Sequence, residues 1–392
     1  MLCHMKIDGT VAPGFEAVRE AFAANFTEHG EVGAAVCVYR DGRPIVDLWG
    51  GLADPETGRA WERDTLQLVY SATKGVTATL AHLLVQRGLL DLDAPVAQYW
   101  PEFAAAGKDE IPVRWLLTHQ AGLAALDKPV RLVDALAWTP MVEALAAQAP
   151  NWPPGTAHGY HGRTFGWLVG EVIRRVTGRT VGQVLAEEIA APYGVDFFIG
   201  LPPAEQYRVS RLVFAPQPDF AEIPEDLIPE RLRPVIAALQ DPDSLANRAF
   251  QITDPADLDF NSPDIHAAEI PASNGIGTAR GLARIYAALV GDLDGHRLLT
   301  PETLSAATRE QVAGTDLVIT LENRYATGYM LPTPELPLGG PHSFGHPGRG
   351  GSLAFADPTR GLAFAYTPNY IIENAVDLRA RNLVDAMESA LG

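Results

Sequence analysis

Two cysteines in 392 residues exclude a disulfide framework. Cys3 falls in the N-terminal stretch MLCHMKIDGT, where Met5 offers an alternative start, and Cys37 in the apolar run AAVCVYR, which reads as a buried strand. Neither has the histidine company of a thiol nucleophile. Basic charge is scarce as well. Lys and Arg number 30 against 48 Asp and Glu, for a net charge of −18, so no basic face is expected for nucleic acid or for anionic membranes. A run of roughly 18 uncharged apolar residues, as a membrane span needs, is missing, and so is the basic start and apolar segment of a signal peptide. Together these absences suggest a cytoplasmic protein with reduced thiols. Signatures of bound groups are missing too: no His-Glu-x-x-His, no phosphate loop and no dinucleotide fingerprint. His158 and His161 have no third ligand at a recognisable spacing. Neither a metal nor a cofactor is expected. There is also no Gly-x-Ser-x-Gly elbow of an α/β-hydrolase.

What is present looks globular: 47% of residues are apolar and 20% charged, enough for a sizeable core. Phe15, Val18, Phe22 and Phe26 recur at helical spacing. Strand-like runs at 34–40 and 44–50 flank Asp41-Gly42-Arg43, a hairpin signal. From residue 71 to Gly88 the pattern is helical, with Val76, Leu80, Leu83 and Leu84 on one stripe. Helices are expected at 113–118, 132–148, 163–177, 277–290 and 374–391, and strands at 351–356 and 361–367. The stretch 201–272 reads as long connections with one helix near 229–239. Strands thus gather at both ends of the chain and helices in the middle. This predicts an α/β (α+β) fold in which residues 1–75 and 273–392 build one domain. Residues 76–272 would form an inserted, mainly helical domain with long loops, and the active site would lie at the interface.

Ser71-Ala72-Thr73-Lys74 opens one of these helices. Residues three apart share a helix face, so the Ser71 hydroxyl and the Lys74 amine can meet. A serine hydroxyl becomes a useful nucleophile only when a neighbour accepts its proton. Lysine can accept it if burial or nearby positive charge lowers its pKa from about 10.4. The positive end of the helix dipole favours a neutral amine and a developing oxyanion alike. Taken alone, the tetrapeptide fits an ordinary serine N-cap equally well.

Its company is more specific. Pro154-Gly155-Thr156-Ala157-His158-Gly159-Tyr160-His161 precedes a helix, and Gly345-His346-Pro347-Gly348-Arg349-Gly350-Gly351-Ser352 leads into a strand. Asp91-Leu92-Asp93-Ala94-Pro95-Val96 and Leu116-Leu117-Thr118-His119-Gln120-Ala121-Gly122-Leu123 lie ahead of both, and Asn274-Gly275-Ile276-Gly277-Thr278-Ala279 lies between them. In this order the blocks resemble the serine β-lactamase and penicillin-binding-protein superfamily, and most of all its class C β-lactamase-related esterases, the family VIII carboxylesterases. That resemblance runs from about residue 15 to 390. It implies a β-lactamase-like, transpeptidase-like fold, with an antiparallel sheet flanked by N- and C-terminal helices.

It also implies roles. Ser71 would be the nucleophile, Lys74 its general base, and Tyr160, its phenol lowered by Lys74, a proton relay to the leaving alkoxide. The amides of Ser71 and Arg349 would form the oxyanion hole. His346, Gly348, Gly350 and Trp152 would bind substrate. His119 would satisfy backbone groups near a helix end. Two departures stand out. Gly162 replaces an asparagine that holds the acylamido arm of lactams, and His346-Pro347-Gly348 replaces Lys-Thr-Gly, whose cation anchors a carboxylate. Both favour uncharged short-chain esters, with a small-molecule ester as the partner. A β-lactamase or D-amino-acid peptidase using the same site, and a non-catalytic scaffold of the same fold, remain alternatives at this stage. Oligomeric state is not legible.

Overall fold

The computed structural model describes residues 6–216, 233–255, 258–336, 338–372 and 377–392. Cys3, Met5 and the expected helical positions 229–232 and 374–376 lie outside the described residues.

Six strands form the main sheet: β1 (Ile7–Val11), β2 (Gly33–Arg40), β3 (Arg43–Asp54), β4 (Phe344–Pro347), β5 (Leu353–Asp357) and β6 (Leu362–Pro368). Their order is β1-β3-β2-β6-β5-β4, with a short strand at Arg59–Ala60 paired to β3. Every pairing is antiparallel. The sheet therefore joins an N-terminal hairpin to a C-terminal one through the β2–β6 pair, in register from Arg40 opposite Leu362 to Ala34 opposite Pro368.

Alternation along the strands decides what covers each face. Ala34, Val36 and Val38 of β2, with Leu362, Phe364 and Tyr366 of β6, pack on one side against α1 (Glu16–Glu28) and the C-terminal helix (Arg379–Leu391). Cys37 and Tyr39, with Ala363 and Ala365, point the other way. There the helix Ala279–Val290 lies on them, and the two alanines let it come close. Beyond it the same apolar core continues without a break into the helices Thr73–Gln86, Val113–Leu117, Thr139–Ala147 and Thr164–Thr177.

Three expectations shift in detail. The helix expected at 132–148 is two, Leu132–Leu136 and Thr139–Ala147, parted at Trp138 with φ 71° just before Pro140. The strand expected from 351 begins at Leu353, because Arg349–Gly351 make a tight 3₁₀ turn. The helix Thr73–Gln86 is buried on every side from Thr73 to Leu84, not along one stripe. Several of its buried positions are small or hydroxylated, and two threonines bond outward: Thr77 Oγ1 donates to the Pro271 carbonyl at 2.6 Å and Thr79 Oγ1 lies 2.9 Å from Tyr329 Oη. Among the described residues, 201–272 holds several short helices, including Arg233–Gln240 and Leu245–Phe250. No helix among them is long and apolar enough to cross a membrane.

A fully buried ion pair ties the C-terminal helix to the sheet. Arg379 Nη1 donates to Glu31 Oε1 at 2.9 Å, the Tyr366 hydroxyl donates to the same carboxylate, and Arg379 Nη2 reaches the Gly350 carbonyl at 3.0 Å. Removing one partner strands the other charge in the core. Arg379→Met is therefore expected to cost about 3–5 kcal/mol of stability, read as a lower urea midpoint. Glu31→Gln in the same chain should recover part of the loss; an unchanged midpoint in the single variant would count against the pair.

Candidate active site

Ser71 stands at the mouth of the Thr73–Gln86 helix, and its position is fixed from both sides. Val69 N donates to the Gly275 carbonyl at 2.9 Å, and Tyr70 bridges in parallel to Asn274. Thr73 Oγ1 bonds the Tyr70 carbonyl and accepts from Gly275 N at 2.8 Å. Asn274 is itself held by three bonds, its Nδ2 to the Ile265 and Ala268 carbonyls and its Oδ1 from Ile270 N. Tyr70 sits at φ 47°, a left-handed conformation that costs energy in a non-glycine residue. The regular helix starts two residues later than expected, yet Lys74 N donates to the Ser71 carbonyl at 2.9 Å. Such a 3₁₀ turn brings residues i and i+3 into line.

Lys74 Nζ accordingly lies 3.0 Å from Ser71 Oγ, 2.7 Å from the Gly162 carbonyl and 3.0 Å from the Ala272 carbonyl. Its side chain is wholly buried with no carboxylate beside it, and this burial holds the amine well below the usual lysine range. A neutral amine has two hydrogens and one lone pair. Two of its three neighbours are carbonyls, which only accept, so both hydrogens go to them. The lone pair is left facing Ser71, whose O–H can donate to it.

Tyr160 packs beside this pair, with Lys74 Nζ 4.8 Å from its ring centre. Burial pushes its phenol up, while a hydrogen bond with Ser71 draws it back only in part. The expectation of a phenol lowered by Lys74 is thus corrected: an uncharged amine exerts no such pull, and Tyr160 keeps its proton at neutral pH. Its backbone is anchored by Asp316, whose Oδ1 accepts from Tyr160 N at 2.9 Å, Val318 N at 2.8 Å and Ile319 N at 3.0 Å.

The third side comes from β4 and the turn after it. His346 Nδ1 bonds the Pro347 carbonyl at 2.7 Å, which fixes the tautomer and leaves Nε2 as an acceptor. Burial lowers His346 to about 3. It is no anion anchor. Gly348 is needed because of a close approach: a Cβ there would lie 2.2 Å from the Val69 carbonyl oxygen and 2.2 Å from Ser352 Oγ. Ser352 Oγ donates to that same carbonyl at 2.9 Å, binding the turn to the segment that carries Ser71.

A cavity of about 730 Å³ opens over Ser71. Tyr160, His346, Gly348 and Arg349 line it, with Phe250, Phe260, Ile319 and Met330 as apolar walls. Ser71 and Arg349, the two residues whose amides the resemblance assigns to an oxyanion hole, both border this cavity. Two expected substrate-binding residues are not at the cavity. Trp152 stands behind the site, its indole donating to the Ala157 carbonyl at 3.2 Å. Gly350 turns away, its carbonyl taken by Arg379. His119 does serve backbone: its Nδ1 accepts from His161 N at 3.0 Å. His161 in turn accepts from Leu123 N at 2.9 Å and bonds the Gly159 carbonyl, and among the described residues no cluster could hold a metal. The four apolar walls and Asp316 had no motif to announce them, and Ser352 ended a motif without a role attached to it.

Fold and site together define a class: proteins in which a Ser-x-x-Lys turn lies between an antiparallel sheet and a body of helices. The chain belongs to the beta-lactamase family, whose model matches residues 18–386. It is similar to the Esterase/beta-lactamase LipL of Mycobacterium tuberculosis (strain ATCC 25618 / H37Rv), with 36% identity over 380 residues, covering 95% of this chain and 85% of that protein. Among solved structures, a family VIII carboxylesterase superposes with TM-score 0.86 at 38% identity, covering 98% of this chain and 100% of the other. A penicillin-binding protein homolog from Caulobacter crescentus gives TM-score 0.85 at 39% identity, covering 98% and 100%.

Proposed function

We propose that this protein is a serine carboxylesterase that hydrolyses short-chain carboxylic esters through a Ser71 acyl-enzyme. The observation that carries this is the buried Lys74 amine, neutral and 3.0 Å from Ser71 Oγ. The Ser71 O–H gives its proton to Lys74 while Oγ attacks the ester carbonyl. The amides of Ser71 and Arg349 receive the carbonyl oxygen as it becomes an oxyanion. Tyr160, still protonated, hands its proton to the departing alkoxide and regains one from Lys74. Water then attacks the acyl-enzyme by the reverse relay, releasing the carboxylic acid and restoring Ser71. The family resemblance and the esterase titles of its relatives support the same activity.

Neutral esters suit the site better than lactams. His346 is uncharged, and Gly162 presents no amide to an acylamido arm. The purified protein should cleave p-nitrophenyl acetate and butanoate at least a hundredfold faster than a chromogenic cephalosporin, and a fluorophosphonate probe should label it. Lactam turnover at or above the ester rate would replace the esterase assignment with a β-lactamase one. Absence of labelling and of both activities would leave a non-catalytic scaffold.

A further inference from the structure

We infer that Phe250 is the specificity-determining wall for the acyl half of the substrate, restricting it to short, uncharged, apolar acyl groups. This rests on the esterase assignment above. Phe250 ends the short helix Leu245–Phe250, which Ser244 caps by accepting from Asn247 N at 3.0 Å. One edge of its ring lies against Gly162: a Cβ built there would come within 2.6 Å of Phe250 Cε1 and 3.1 Å of Cζ. Gly162 is no remote residue. Its carbonyl takes a hydrogen bond from Lys74 Nζ at 2.7 Å, and Lys74 Nζ is 3.0 Å from Ser71 Oγ. One backbone residue and one amine thus separate the ring from the reacting hydroxyl.

The two halves of an ester must leave Ser71 in different directions. Tyr160, which protonates the alkoxide, stands with His346, their ring centres 6.0 Å apart, so the alcohol half is drawn to that side. The acyl half is left with the rest of the cavity, which Phe250 and Phe260 border. Phe260 is itself set edge-on against Tyr70 at 4.9 Å, next to the nucleophile. Two aromatic walls close to Ser71 favour apolar acyl groups and shorten the space for them.

The experiment compares wild type, Phe250→Ala, Gly162→Ala and the double variant on p-nitrophenyl esters from acetate to octanoate. The alcohol is constant, so only the acyl arm varies. Acetates of methanol through hexanol form the reciprocal series. The ratio of kcat/KM for octanoate to that for acetate should rise at least tenfold in Phe250→Ala, while the alcohol series keeps its wild-type rank order. Gly162→Ala should lower kcat/KM for every acyl length by pushing the ring into the arm, and Phe250→Ala in the same chain should restore at least part of it. If Phe250→Ala does not fold, Phe250→Leu should show the same shift at smaller size. An unchanged acyl ratio, or a shift confined to the alcohol series, would overturn the inference. Ester cleavage and fluorophosphonate labelling of the wild type report separately on the esterase assignment.

Discussion

Ser71→Ala should abolish ester turnover, lowering kcat by on the order of 10⁴-fold or more, while leaving the fold intact. That loss is about 5 kcal/mol of transition-state stabilisation. It is large because the neighbouring hydroxyls of Thr73 and Ser352 are already engaged. The Thr73 hydroxyl is occupied by the Tyr70 carbonyl and Gly275 N, and Ser352 Oγ by the Val69 carbonyl. The hydroxyl of Ser71 also contributes little to packing, since its anchoring runs through backbone bonds of Val69, Tyr70 and Gly275. Circular dichroism and the melting temperature should therefore match the wild type within about a degree or two, as usual for a surface-lying change away from core packing. Retention of more than a hundredth of the wild-type rate would mean that the acyl-enzyme is not formed on Ser71.

Lys74→Met should reduce kcat/KM by about 10³-fold, because methionine fills a similar volume without a lone pair. The wild type carries a second signature. Burial holds its amine well below 10.5, so kcat/KM should fall as pH drops through that depressed value and stay level from there toward 10.5. An activity rise centred on the ordinary lysine range would show that Lys74 is charged at neutral pH and is not the base. The linked stability effect has a definite sign. Between the depressed folded value and the unfolded one, the unfolded chain binds the extra proton. The contribution of Lys74 is thus complete only above 10.5 and is lost as pH falls toward the folded value. Lys74→Met should lack that slope in a comparison of urea midpoints from pH 7 to 10.

The reactive pair was legible because helix geometry fixes what three residues' spacing means, even though the regular helix begins at Thr73. The hairpin at Asp41-Gly42 was legible for the same local reason. Trp152 and Gly350 were misplaced because closeness in sequence to a motif does not tell which side of a turn faces the cavity. Trp152 bonds backward to Ala157, and Gly350 toward Arg379. The aromatic walls were invisible for another reason. Phe250 and Phe260 come from a stretch of short helices without sustained periodicity, and only tertiary packing brings them to Ser71. The strand β1, with Gly9 inside Ile-Asp-Gly-Thr-Val, was likewise too short and too polar to stand out. Asp316 looked like any loop acid, and its bond from Tyr160 N appears only when 158–160 and 316–319 meet.

The pairing of β2 with β6 sets a timetable for biosynthesis. Strand β2 leaves the ribosome early, yet the partner opposite Arg40 is Leu362, some three hundred residues on. At translation speeds of about 5–20 residues per second, that wait lasts on the order of tens of seconds. Throughout it, β2 offers Ala34, Val36 and Val38 on an unpaired edge, the kind of edge that recruits other strands. Ser71 is also made early, but Gly348, Arg349 and the Ser352 tether arrive only with the last tenth or so of the chain. A nascent or prematurely terminated polypeptide therefore carries Ser71 without the strand and turn that border its cavity, and with a strand edge that must be shielded until synthesis ends.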